Sequence, residues 1–233
     1  MKFGNRTNSR LVLALLLTVA LTTFLHAQMG MMDKGEFTEK MAENSKKLKQ
    51  YTYLQKTQIF LKGELKGTKL SRVHYDSATG EKVSEPLDAP PPEQGGRRRL
   101  MGRMKEKKIE EKKDEMKEYV ERLMGLMSQY LPPNPDRMKA AMPNALISPP
   151  ASGQAKLILS GYLKPGDKMT FAADPATKSL SEITIDSSLD DKPVSFQVVF
   201  SKLPDGTNYP SLTTINAPAK ELRIAVATSD YHK

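Results

Sequence analysis

The residues with the chemistry to act as bases or ligands are few. Beyond the first 27 positions the histidines are His74 and His232, one in a strand-like run and the other one residue from the end. Neither has the spacing of two histidines four apart on a helix, and the chain has no cysteine, so soft metal-ligand sets and a disulfide framework are both excluded. A Gly-x-Ser-x-Gly elbow and a phosphate-cradling glycine loop are likewise missing. The acids that catch the eye stand at turns: Asp167 in Lys164-Pro-Gly-Asp167, the Asp190-Asp191 pair, and Asp205 in Pro204-Asp-Gly206. Aspartate is favoured there because its side chain bonds nearby backbone, so these four read as turn formers, ahead of catalysis or calcium binding. The expectation is no catalytic residue, no metal, no cofactor, and a protein that is not an enzyme.

One stretch carries concentrated charge. Arg97 to Lys108 holds seven cations against the single acid Glu106. Arg97, Arg98, Arg99 and Arg103 are its candidate contacts for an anionic envelope surface or partner. No aromatic residues interleave for base stacking, so nucleic acid is not expected. The alternative is an ordinary solvated helix face, which the mixed charge after Ile109 and an i, i+4 pair from Glu118 to Arg122 suit.

These residues must be positioned by a chain with a segmented look. Lys2, Arg6 and Arg10 precede the uncharged, largely apolar run Leu11 to Phe24, and Ala27 offers a cleavage position. Residues 1–27 read as a secretory signal peptide. The alternative is an uncleaved anchor, since the uncharged stretch continues to Met32, but only its first part is strongly apolar and a span wants about 20 such residues. Without those three cations the 36 basic residues fall to 33 against 27 acidic ones, a net charge of +6. No second run is long enough to span, so residues 28–233 are expected to be one periplasmic domain with no stable transmembrane segment after cleavage.

Phe37, Met41 and Leu48 align on one face of a short helix. From Tyr51 the period changes to two: Tyr51, Tyr53, Thr57, Ile59 and Leu61 share one side of a strand and Thr52, Lys56, Gln58 and Lys62 the other, with Leu54 and Phe60 breaking the polar side. Leu70 to Tyr75 and Glu81 to Ser84 follow as strands. Residues 85–99 form a Pro/Gly linker. The helix 100–131 carries the stripe Met116, Tyr119, Val120, Leu123, Met127 and Tyr130, and Pro132 stops it. Met101, Met104, Met116, Met124 and Met127 would suit irregular apolar partners or simply core. Residues 132–153 read as a crossing connection with a short helical turn, Asp136 to Met142, anchored by Met138, Met142, Leu146 and Ile147. After it comes a meander: Ala155 to Leu159, Met169 to Ala173, Ile183 to Ile185, Val194 to Phe200, Tyr209 to Ile215 and Leu222 to Val226, each closed by a turn.

The order of elements resembles the bacterial lipoprotein-carrier superfamily (LolA/LolB-like). Tyr51-Thr-Tyr53, Tyr162-Leu-Lys-Pro-Gly-Asp167, Asp174-Pro-Ala-Thr177 and Leu203-Pro-Asp-Gly-Thr-Asn-Tyr-Pro210 look like turns and hairpins of an uncharacterised exported bacterial family related to it. The resemblance implies an α+β fold: a strongly curved antiparallel sheet, or half-barrel, with helices on its concave face. It also implies a lipid, lipoprotein or other apolar ligand in that concavity, against Tyr53, Ile59, Phe171, Ile183, Phe196, Val198 and Ile224. The other expectation is an envelope structural or interaction protein whose core is filled.

Overall fold

Alternation is what builds this molecule. In Val194-Ser-Phe-Gln-Val198 the valines and the phenylalanine are buried while Ser195 is half-buried and Gln197 exposed, the pattern of a strand with one covered face. Ten such strands form one sheet in the computed structural model, which describes residues 34–87, 103–148, 154–174, 177 and 179–233.

Helix α1 (Lys34–Leu48) leads into strands β1 (Thr52–Leu61), β2 (Glu64–Tyr75) and β3 (Lys82–Pro86). Helix α2 (Arg103–Tyr130) follows, then the short helix α3 (Pro135–Ala141). Next come β4 (Leu146–Ser148), β5 (Ala155–Ser160), β6 (Lys168–Ala173), β7 (Leu180–Leu189), β8 (Lys192–Lys202), β9 (Asn208–Ala217) and β10 (Leu222–His232). The order across the sheet is β3-β2-β1-β10-β9-β8-β7-β6-β5-β4, every pair antiparallel. Its two ends, β3 and β4, do not meet, so the sheet is open. The first strand pairs with the last, Ile59 opposite Ile224, and this joins the early hairpins to the meander in one sheet. Among the described residues, no helix is long and apolar enough to cross a membrane.

The register lines the apolar residues up in rows. Ile59, Ile224, Ile215, Phe196, Ile185, Met169 and Leu159 stand opposite one another across seven strands. One row over, Val226, Thr213, Val198, Ile183, Phe171, Leu157 and Ile147 do the same. The opposite face is mostly polar, with Gln58, Ala225, Thr214, Gln197, Thr184 and Thr170 in one line. A one-residue slip would exchange the faces, so the sheet's register is set by burial.

Helix α2 covers the apolar rows. Tyr119, Leu123, Leu126 and Tyr130 belong to the buried core with the sheet residues, and Met116, Val120, Met124 and Met127 pack at its margin. Leu126 was outside the expected stripe; its place on the turn between Leu123 and Tyr130 puts it on the same face. Met41 of α1 also reaches the core. Asn134 caps α3 by accepting from the Asp136 and Arg137 N–H groups, and Pro135 occupies the first turn, where a missing N–H costs nothing.

Two expectations need correcting. Residues 146–148 are not only connection but an edge strand, and Leu146 is 64% exposed rather than an anchor, because alternation turns it to the outer face beside Ile158. Arg122 makes its close ion pair with Asp190 on the sheet at 2.7 Å, and Glu118 on its own helix acts on it only as a nearby charge. The signal segment 1–27, the linker from residue 88, Arg97, Arg98, Arg99 and Met101 lie outside the described residues. Arg103 opens α2.

Candidate functional site

Six of the seven residues nominated for an apolar cleft come together on the covered face. Phe171 and Phe196 are fully buried, Ile183, Ile224 and Val198 are at most 3% exposed, and Ile59 is half-buried against the same core. Their partners are protein: Tyr119, Leu123, Leu126, Tyr130 and Met138 fill the space over them. The Tyr130 and Phe196 rings lie 6.2 Å apart.

Tyr53 stands apart from the other six. It belongs to a tyrosine cluster at the far end of β1, built where the first and last strands meet. Tyr231 stacks on Tyr53 at 4.7 Å and meets Tyr209 at 4.5 Å and Tyr51 at 6.2 Å. Cations cap the rings: Lys82 over Tyr53, Lys49 over Tyr75 and Lys233 over Tyr51, at 5.0 to 5.9 Å from the centroids. Burial pushes the Lys82 ammonium below the ordinary lysine pKa. The Tyr51 hydroxyl donates to Asp205 at 2.5 Å. That bond, with the Thr207 N–H behind it, holds the Asp205 carboxyl well below the usual carboxylate range. Asp205 receives that Thr207 N–H through its other oxygen, so this turn former also ties the β8–β9 turn to the start of β1.

The cluster has a measurable consequence. Burial raises the pKa of Tyr53 and Tyr75, and that of Tyr231 to about 12. A tyrosine with a raised folded pKa gives up its proton first in the unfolded chain. The stability it contributes is therefore complete below the ordinary tyrosine pKa of about 10 and is lost as pH climbs through the folded value. In an alkaline titration the tyrosinate absorbance of the clustered rings is expected to appear together with loss of far-UV circular dichroism, between about pH 10 and 12. Full tyrosinate absorbance near pH 10 with the sheet intact would show that the rings are not held this way.

A second polar centre fastens α2 to the sheet. Asp167 is 3% exposed. Its Oδ2 accepts from the Tyr130 hydroxyl at 2.7 Å and from the Leu163 and Lys164 N–H groups at 2.9 Å. The two backbone bonds are the expected turn chemistry of Lys164-Pro-Gly-Asp167; the tyrosine bond is additional. Ser187 shares the Tyr130 hydroxyl at 2.9 Å. Burial first, then the bond to the Asp167 carboxylate, lifts the Tyr130 pKa well above the tyrosine range. A cavity of about 270 Å³ opens beside this turn, lined by Lys164, Asp167, Ser187, Ser188 and Asp191 among others. The Lys164 ammonium bonds the Ser188 carbonyl there. On the neighbouring hairpin Asp190 and Asp191 form the two-residue turn, both with positive φ (51° and 57°).

The other oxygen of Asp167, Oδ1, is buried with no hydrogen-bond partner among the described residues. His74 faces Val83 across a strand pair, while His232 ends β10 with its Nδ1 by the Asp230 carbonyl. Among the described residues no group of three or more His, Cys, Asp or Glu could hold a metal ion. Sequence reasoning missed the tyrosine cluster, although tyrosines at the start of β1 and near the ends of β2 and β10 were a readable signal once those strands pair. The fold and its centres thus define an open ten-stranded antiparallel sheet with a long helix fastened over one face. Comparison of the chain with family models, curated proteins and solved structures finds no match.

Proposed function

We propose that this protein is a non-enzymatic envelope interaction protein: a filled α+β scaffold whose cationic segments contact an anionic surface or partner. The observation that carries this is the occupied face. Residues that would line a ligand cleft already bury their surface against α2, which leaves a carrier little wall to offer. The export signal read in residues 1–27 supports a periplasmic setting, and Arg97 to Lys108 supports an anionic contact.

In this reading the sheet curves strongly as a half-barrel, with α2 on its concave side, as the resemblance to the LolA/LolB-like superfamily implies. The reach of α2 supports that. Its Tyr130 bonds Asp167 just before β6, and its Tyr119 ring lies 5.5 Å below the Lys220 ammonium in the β9–β10 turn. Lipid or lipoprotein carriage is the reading this one displaces, and one experiment separates them. Native mass spectrometry of the purified protein should give a clean apo mass with no fluorescent fatty acid taken up, while the protein sediments with anionic vesicles in a salt-sensitive way. Replacing Arg97, Arg98, Arg99 and Arg103 by Glu should weaken that sedimentation. A co-purifying lipid with stoichiometric uptake would hand the function to the carrier reading.

A further inference from the structure

A second cationic surface lies in the described chain, on the β1–β2 hairpin. Lys62-Gly63 makes a two-residue turn with positive φ at both positions (55° and 79°), pairing Leu61 with Glu64, the tight geometry that suits a twisted hairpin. Strand β3 pairs with β2 only from Ser71 to Tyr75. Among the described residues, 64–69 are therefore the sheet's outer edge at this end, and all six are exposed. The Lys62 N–H donates to the Glu221 carbonyl at 2.9 Å, which brings the β9–β10 turn alongside. Lys56, Lys62, Lys66, Lys69, Lys220 and Arg223 are all exposed here, Lys56 and Arg223 on the face of Leu65, Lys69 on the other face and Lys220 over the Tyr119 ring. The acids among them are Glu64, which is paired with Lys66, and Glu221.

Lysines on a free edge would by themselves only deter strand-to-strand aggregation. Leu65 does not fit that purpose. It is 51% exposed one residue past the turn, opposite Phe60, whose ring lies 4.2 Å from the Arg223 guanidinium. A large apolar side chain at a hairpin end, on the same sheet face as Lys56 and Arg223, matches the boundary of a bilayer. There the stems lie along apolar surface while their charged heads reach lipid phosphates.

We infer that the β1–β2 hairpin docks onto an anionic lipid bilayer, with Leu65 entering the headgroup boundary and the surrounding cations on the phosphates. This rests on the proposed anionic contact and names a site for it other than Arg97 to Arg103. The purified protein is tested on phosphatidylglycerol-containing and pure phosphatidylcholine vesicles at low and high salt. K62E/K66E/K69E should lower binding to the anionic vesicles at least about tenfold, since each lysine adds attraction near such a surface. Leu65→Ser should lower it about threefold, chiefly in what survives high salt. Both variants change exposed positions, so an unchanged melting curve shows that they fold. Because the chain has no cysteine, Leu65→Cys carries a single environment-sensitive dye, whose emission should shift to the blue on anionic vesicles.

Wild-type binding by K62E/K66E/K69E, with loss in the variant R97E/R98E/R99E, would overturn the hairpin while leaving the proposed function standing. Tight binding of a soluble polyanion without a dye shift on vesicles would overturn the bilayer as the partner. Uptake of fatty acid into the interior would instead remove the proposed function.

Discussion

Replacing Phe196 by alanine is expected to cost about 3–5 kcal/mol of folding stability, as deletions of buried aromatic rings do. The ring is fully buried in the middle of the row that runs from Ile59 to Leu159, with Ile215 and Ile185 on its flanking strands and Tyr130 above it. Truncation removes the transfer energy of the ring and leaves a cavity that ten hydrogen-bonded strands cannot collapse to fill. Against a total stability of about 5–15 kcal/mol this is a large fraction. Urea melts followed by circular dichroism measure it, with Leu212→Ala on the outer face as control. Leu212 is 39% exposed, and its loss should register about 0.5 kcal/mol or less. The result also bears on function. If Phe196 were the wall of a ligand space, its truncation would enlarge that space at small cost and raise fatty-acid uptake. A loss below about 1 kcal/mol together with increased uptake would count against a filled core.

Most of the strands were legible because the chemistry that makes them is local. Strict alternation in β8 and turn residues at Asp190-Asp191 and Pro204-Asp-Gly206 mark the element and its end within a dozen residues. The long stripe ending at Tyr130 and the Pro132 stop did the same for α2. Strand β4 escaped notice because three residues between prolines carry no measurable period. Six of the apolar candidates share one core and Tyr53 does not, since a strand's parity tells which side a residue faces but not what stands over it. The tyrosine cluster has the opposite character. Tyr51 and Tyr231 are brought together by the pairing of first and last strands, a long-range event that no window of sequence contains. Arg122 reaching Asp190 and Tyr130 reaching Asp167 belong to this class too. In each the local role, a helix-surface cation or a turn acid, was visible, while the partner came from the packing of α2 on the sheet.

Asp167 is where local and long-range roles meet, and its removal is the second large effect expected. As a turn former alone it would satisfy the Leu163 and Lys164 N–H groups, and Asp167→Ala would cost on the order of 1 kcal/mol, as losing a cap does. In this structure the same oxygen also accepts the Tyr130 hydroxyl in a buried setting. Alanine there removes the acceptor of three donors and leaves the two backbone N–H groups stranded, and unsatisfied buried groups cost about 1–3 kcal/mol each. The hydroxyl of Tyr130 keeps Ser187 as partner, which softens its share. We therefore expect Asp167→Ala to lose about 3 kcal/mol and Tyr130→Phe about 1–2 kcal/mol. The double variant should fall short of the sum by about 0.5–2 kcal/mol, because one bond is removed twice. Hydrogen exchange locates the effect: with the sheet intact, amides in the last turns of α2 should lose protection before those of β7 and β8, since this bond fastens the helix rather than the strands. Additive losses, or a protection change confined to residues 163–167, would reduce Asp167 to its turn and leave α2 held by apolar contact alone.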